Sequence, residues 1–122
     1  MQELTHYING EHIKGTSGRF ADVFNPATGE VQAKLPLANA EEMDIAVKAA
    51  EAAQPAWAAT NPQKRARVLM RFVDLLNRDM DKLAEALSRE HGKTLPDAAG
   101  DVQRGLEVVE FCIGAPHLLK GE

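Results

Sequence analysis

The sequence predicts an α+β chain in which strands come first and helices follow. Three observations carry this. Up to Ala38, short alternating apolar stretches are punctuated by turn residues; beyond it, long stretches have helical spacing and few glycines; and Asn9-Gly10 sits between two extended tripeptides. The expected layout is a β-hairpin and extended-strand region over 1–38 and a three-helix region over 39–122. The helices are placed at 39–58, 61–91 and 95–114, in a single truncated domain with no internal repeat or linker.

His6-Tyr7-Ile8 and His12-Ile13-Lys14 flank Asn9-Gly10, the strongest two-residue signal for a type I′ hairpin because both central residues take positive φ. Ala21 to Phe24 and Val31 to Leu37 form a second extended pair around NPATGE at 25–30, where Pro26 fixes φ and Gly29 supplies a left-handed position. The first helix should start after Asn39, whose side chain can accept from the N–H near Glu42, with Glu41, Glu42 and Asp44 suiting its positive end. Met43, Ala46, Val47, Ala50, Ala53 and Trp57 make one apolar stripe, and Ile45, Ala49, Ala52 and Ala56 a second. A helix apolar on two sides expects neighbours on two sides.

Asn61 and Pro62 open the second helix, and Leu69, Phe72, Val73, Leu76, Met80, Leu83 and Leu87 form its seam, with Asp74–Arg78 and Glu85–Arg89 as outer i,i+4 pairs. Gly92 ends it. Thr94, Pro96 and Asp97 open the third helix; Ala98, Val102, Leu106, Val109 and Ile113 are its buried stripe, and Gly114 and Pro116 stop it.

The 122 residues are 44% hydrophobic and 26% charged, close to the soluble globular average, which fits one ordinary domain or a piece of a larger one. No apolar run is long enough to span a membrane, and Met1 to Leu4 lack the basic head and apolar core of a secretory signal. A net charge of -4 argues against a dedicated polyanion binder, so no nucleic-acid partner is expected. One cysteine cannot make an internal disulfide, and a cytoplasmic location is expected.

Few residues invite chemistry. His91-Gly92-Lys93-Thr94 resembles the tail of a phosphate loop, but position 87 is leucine where that motif needs glycine, so a helix stop is the better account. His6, His12, His91 and His117 have no i,i+4 pair and no cysteines at zinc spacing, so no metal site is expected. Cys112 lies late in a helix, where the negative end disfavours a thiolate; a buried structural thiol is expected. Lys64, Arg65, Arg67 and Arg71 read as a solvated face or as an anion contact. Arg104 points away from the Val102–Leu106 stripe and is either a surface arginine paired with Asp101 or Glu107, or a guanidinium aimed at a carboxylate.

YINGEHI at 7–13, DVFNPATGEV at 22–31, the arginine-rich opening of the second helix and EHGKTLPDAAGDV at 90–102 fall in the order seen at the N-terminus of aldehyde dehydrogenases. The continuation QRGLEVVEFCIGAPHLLKGE, and GDVxRGxxxVEF within it, resembles the CoA-acylating methylmalonate-semialdehyde dehydrogenases. The resemblance covers almost the whole chain but only the first part of a family chain, and it implies part of the α/β aldehyde dehydrogenase fold.

Members of that family oxidise malonate or methylmalonate semialdehyde with NAD, decarboxylate, and pass the acyl group from a cysteine thiolate to CoA. The resemblance puts the nucleophile, the oxyanion asparagine and the main NAD-binding residues beyond residue 122, so no catalytic residue is expected here. NAD and CoA are cofactors of the parent family, and this chain is not expected to bind either well. Arg104 matches the arginine of GDVxRG that the family uses to hold the substrate carboxylate. The chain is thus expected to be the N-terminal portion of such an enzyme, inactive alone, a homo-oligomer with a small semialdehyde as the full enzyme's substrate. The alternative is a helical interaction module that binds a full-length dehydrogenase subunit.

Overall fold

The structure, a computed structural model, describes residues 2–121. Five strands, β1 (Gln2–Glu3), β2 (His6–Ile8), β3 (Glu11–Ile13), β4 (Phe20–Phe24) and β5 (Val31–Pro36), precede five helices: α1 (Ala40–Ala59), α2 (Pro62–Arg78), α3 (Met80–His91), α4 (Leu95–Ile113) and α5 (Ala115–Leu118). The chain forms two compact units, Met1–Ala58 and Ala59–Glu122. The change from strand to helix at Ala38 falls inside the first of these units.

In the first unit, β2 and β3 pair antiparallel with Ile8 opposite Glu11, leaving Asn9 (φ 53°) and Gly10 (φ 81°) as a two-residue turn with both φ positive, as expected. β4 and β5 pair antiparallel around an Asn25 turn, where the Asn25 side chain accepts from the Ala27 N–H at 2.9 Å and Gly29 has φ 76°. The short β1 adds to β5 in parallel, giving the order β1-β5-β4. Two residues are too few to show a period in sequence.

Glu42 ties α1 to these strands. Its N–H donates to Asn39 Oδ1 at 2.8 Å while its Oε2 accepts from the Asn39 N–H at 2.9 Å, a reciprocal capping box. Its Oε1 accepts from the Thr16 N–H at 2.8 Å and lies 3.5 Å from His6 Nε2. The Asn39 N–H, then the Thr16 N–H, and least the His6 charge hold the Glu42 carboxyl below its ordinary value of 4.5, against the opposing effect of burial. Beside it the chain passes so close that a Cβ on Gly15 would stand 2.6 Å from Pro36 Cβ.

In the second unit, α2 and α3 both pack on α4. Asn61 caps α2 through the Gln63 N–H at 2.9 Å, and Gly92, at φ 87°, closes α3 with its N–H on Ser88 O. The helix expected to run unbroken over 61–91 is interrupted at Asp79 (φ -105°, ψ 16°). Aspartate is a poor interior helix former that competes for local donors. Here it takes Arg78 Nη2 at 2.6 Å and Lys82 Nζ at 3.2 Å, so Arg78 pairs with Asp79 and not with Asp74. These two cations lower the Asp79 carboxyl to about 2. The expected stripe of α4 faces inward: Ala98 at 0% and Leu106 at 3% exposure are buried, and Val102, Val109 and Ile113 are half-buried.

Interior is scarce. Among the described residues the buried apolar set is Ala33, Ala66, Ala84, Ala98 and Leu106, four alanines and one leucine, while nineteen large apolar residues are exposed. Met43, Ile45, Val47 and Trp57 on α1 are among them, as expected of a helix apolar on two sides. The accessible surface is 9304 Å² for 13.3 kDa. Two separate globular bodies of half that mass each would expose about 7,800 Å² together, so each unit keeps apolar surface that a self-contained domain would bury.

Two outcomes follow from these observations. Because the Glu42 value is lower in the folded chain than the ordinary 4.5, its contribution is complete above that pH and is lost as pH falls through the lowered value. In an NMR titration the Thr16 and Asn39 amides should share one midpoint below 4.5 that disappears in Glu42→Gln; a midpoint at or above 4.5 would contradict the assignment. The chain on its own should bind an apolar-surface dye and self-associate at micromolar concentration. A dye-silent monomer with a sharp cooperative melt would show that the apolar surface is not available.

Candidate functional site

Arg104 stands on the outer side of α4, exposed, while Ala98 and Leu106 face inward. The helix beneath it is well anchored: Thr94 Oγ1 accepts from the Asp97 N–H at 3.4 Å and lies 3.0 Å from Asp97 Oδ2, with Pro96 in the first turn. Both carboxylates that could have paired with Arg104 are engaged elsewhere. Asp101 is held by an ion pair with Lys93, and Glu107 Oε1 accepts from Gln103 Nε2 at 3.3 Å. Among the described residues the Arg104 guanidinium makes no hydrogen bond.

Lys93 occupies this place because the segment after α3 turns back along α4. Gly92 reverses the chain, and the Lys93 carbonyl accepts from Ser88 Oγ at 2.6 Å. Lys93 holds Asp101 below its ordinary value of 3.8, first by hydrogen bond and then by charge, with smaller contributions from the charges of Arg104 and His91. In the sequence Lys93 stands out only as part of the phosphate-loop resemblance. A pair eight positions apart across a helix start follows no helical period, so nothing in the pattern announced it.

The remaining candidates are scattered. Cys112, expected to be buried, is exposed, because it lies well around α4 from the stripe containing Leu106. Lys64, Arg67 and Arg71 are exposed; Arg65 is half-buried, and its Nε is shielded without a hydrogen-bond partner. Arg67 and His117 border a groove of about 240 Å³ with Gln63, Ala66, Met70, Ile113 and Pro116. Among the described residues no three His, Cys, Asp or Glu side chains are grouped to hold a metal, and no helix is long and apolar enough to cross a membrane.

The usual frame of a dinucleotide site is a pair of parallel strands joined through a helix that starts at a glycine-rich turn. Among the described residues the parallel pair, β1 with β5, is joined through strands and turns, and Gly92-Lys93-Thr94 closes one helix and caps the next.

The arrangement can therefore do one chemical thing plainly: present an unpaired, permanently charged guanidinium fork on a rigid helix, suited to a carboxylate. Replacing Lys93 with methionine should release Asp101 toward Arg104 and raise the Asp101 carboxyl toward 3.8, read from its side-chain carbon shift during an NMR titration. No movement would mean that Lys93 does not govern Asp101.

Known proteins match along nearly the whole chain. Residues 12–122 match the aldehyde dehydrogenase family model. The malonate-semialdehyde dehydrogenase of Pseudomonas aeruginosa is 52% identical over 122 residues, which is all of this chain and 24% of that protein. Malonate-semialdehyde dehydrogenase 3 of Geobacillus kaustophilus is 46% identical over 119 residues, 98% of this chain and 25% of its own length. Among solved structures, a Sinorhizobium meliloti 1021 protein assigned as a methylmalonate-semialdehyde dehydrogenase and complexed with NAD superposes with a TM-score of 0.96 at 62% identity. The methylmalonate-semialdehyde dehydrogenase of Oceanimonas doudoroffii gives 0.95 at 46%. Each covers 100% of this chain and 25% of the solved one, so the chain spans about a quarter of the length of the relatives it matches. The strands-then-helices layout is that of the N-terminal part of their fold, and the chain belongs to the aldehyde dehydrogenase family.

Proposed function

We propose that these residues form the N-terminal portion of an NAD-dependent, CoA-acylating dehydrogenase of malonate or methylmalonate semialdehyde, and that Arg104 is their contribution to its substrate site. The observation that carries the role of Arg104 is its unpaired fork between two carboxylates that are both taken by other partners. The names of the relatives supply the substrate class, since each such semialdehyde bears a carboxylate at the end opposite its aldehyde. An arginine binds that end in two parallel hydrogen bonds and leaves the carbonyl free to react elsewhere.

NAD would accept the hydride in the complete enzyme. The residues described here position the substrate. Without a nucleophile the chain alone is inactive; its apolar surface supports assembly into a homo-oligomer, and its single cysteine supports a cytoplasmic setting.

The test uses a full-length enzyme in which these 122 residues replace the matching quarter of the Pseudomonas aeruginosa protein. Losing hydrogen bonds to a charged group should make Arg104→Ala raise KM for malonate semialdehyde about 10- to 100-fold while KM for propanal changes little. Equal effects on both aldehydes would overturn the assignment. The 122-residue chain by itself should form no NADH with malonate semialdehyde and CoA.

A further inference from the structure

Helix α4 carries two interior glycines, Gly100 and Gly105, although glycine weakens a helix interior relative to alanine. Elsewhere in the chain glycine has a visible cause: Gly92 and Gly10 need positive φ, and Gly15 meets Pro36. Gly100 and Gly105 have neither. Their φ values are not positive, and a Cβ built on either meets nothing within 4 Å.

Gly100 lies four residues before Arg104, about 40° from it around the helix and one turn toward its start. Helical side chains lean back over the preceding turn, so the surface an arginine at 104 can serve is the one above Gly100 and Asp101. Asp101 feels the Arg104 charge yet is bound to Lys93. That leaves a bare backbone patch one helical turn from a guanidinium with no partner among the described residues. Gly105 is about 100° away from Arg104 and does not share this patch.

Resting on the reading of Arg104 as the carboxylate holder, we propose that Gly100 is a specificity-determining position: its missing side chain is the space in which the substrate's carboxylate end sits against α4. A methyl group there competes with the carboxylate and its neighbouring carbon, while the helix itself gains stability. A residue kept for packing within the chain would show the reverse.

In the full-length chimera, Gly100→Ala should raise KM for malonate semialdehyde about tenfold, the scale of one methyl-sized misfit, and leave KM for propanal within about twofold. In the same chimera the change should leave the melting temperature equal or higher. Gly105→Ala is the control and should leave both KM values within about twofold. Unchanged KM for malonate semialdehyde in Gly100→Ala overturns the proposal, as does an equal rise for both aldehydes or a lowered melting temperature. If Arg104→Ala shows selective loss and Gly100→Ala does not, only the role of Gly100 falls. If Arg104→Ala is itself unselective, the carboxylate reading falls and takes this one with it.

Discussion

Burial of apolar surface is the constraint on which everything else in this chain depends, because neither unit has enough interior for its own hydrophobic residues. Four of the five buried apolar residues are alanines, and the side chains that would normally dominate a core, such as Trp57, Phe72 and Phe111, remain exposed. A chain built this way needs contributions from local hydrogen bonding and ion pairs to hold its shape. Those are conspicuous at Asn39–Glu42, Asn61, Asp79 and Thr94.

The same constraint explains how the helices are made. Caps and turn residues fix where each helix begins and ends without help from a core, which is why α2, α3 and α4 have ends set by Asn61, Gly92 and Thr94. It also explains why α1 can be apolar around most of its circumference. The relatives are about four times as long, and a helix apolar on two sides expects neighbours on both.

Carboxylates organise both units, by different routes. Glu42 reaches back 26 residues to Thr16 and so joins the first helix to the strands, whereas Asp101 is drawn to Lys93 and so leaves Arg104 unpaired among the described residues. The sequence places Glu42 at a helix start, because the Asn39 cap and its acidic third residue form a local pattern. Its second role at Thr16 was illegible, since nothing periodic links positions 16 and 42. Arg104 was singled out by its place opposite the Val102–Leu106 stripe and by the GDVxRG resemblance, but which of its possible partners it would take was open until the positions of Lys93 and Gln103 were known. The break at Asp79 is not legible in the sequence, because a seam of leucines continues through it and hydrophobic period says nothing about a backbone torsion.

The sequence by itself determined the α+β order, the Asn9-Gly10 turn, the starts of α1, α2 and α4 and the inward face of α4. Each of these is a local matter of φ preference, capping or three-to-four-residue spacing. Only the tertiary structure decided that α1 belongs with the strands, that β1 runs parallel to β5, that Cys112 is exposed, and that Arg104 has no hydrogen-bond or ion-pair partner among the described residues. Those outcomes depend on which distant groups meet, and a carboxylate or a strand edge can be satisfied by any of several partners until folding chooses one.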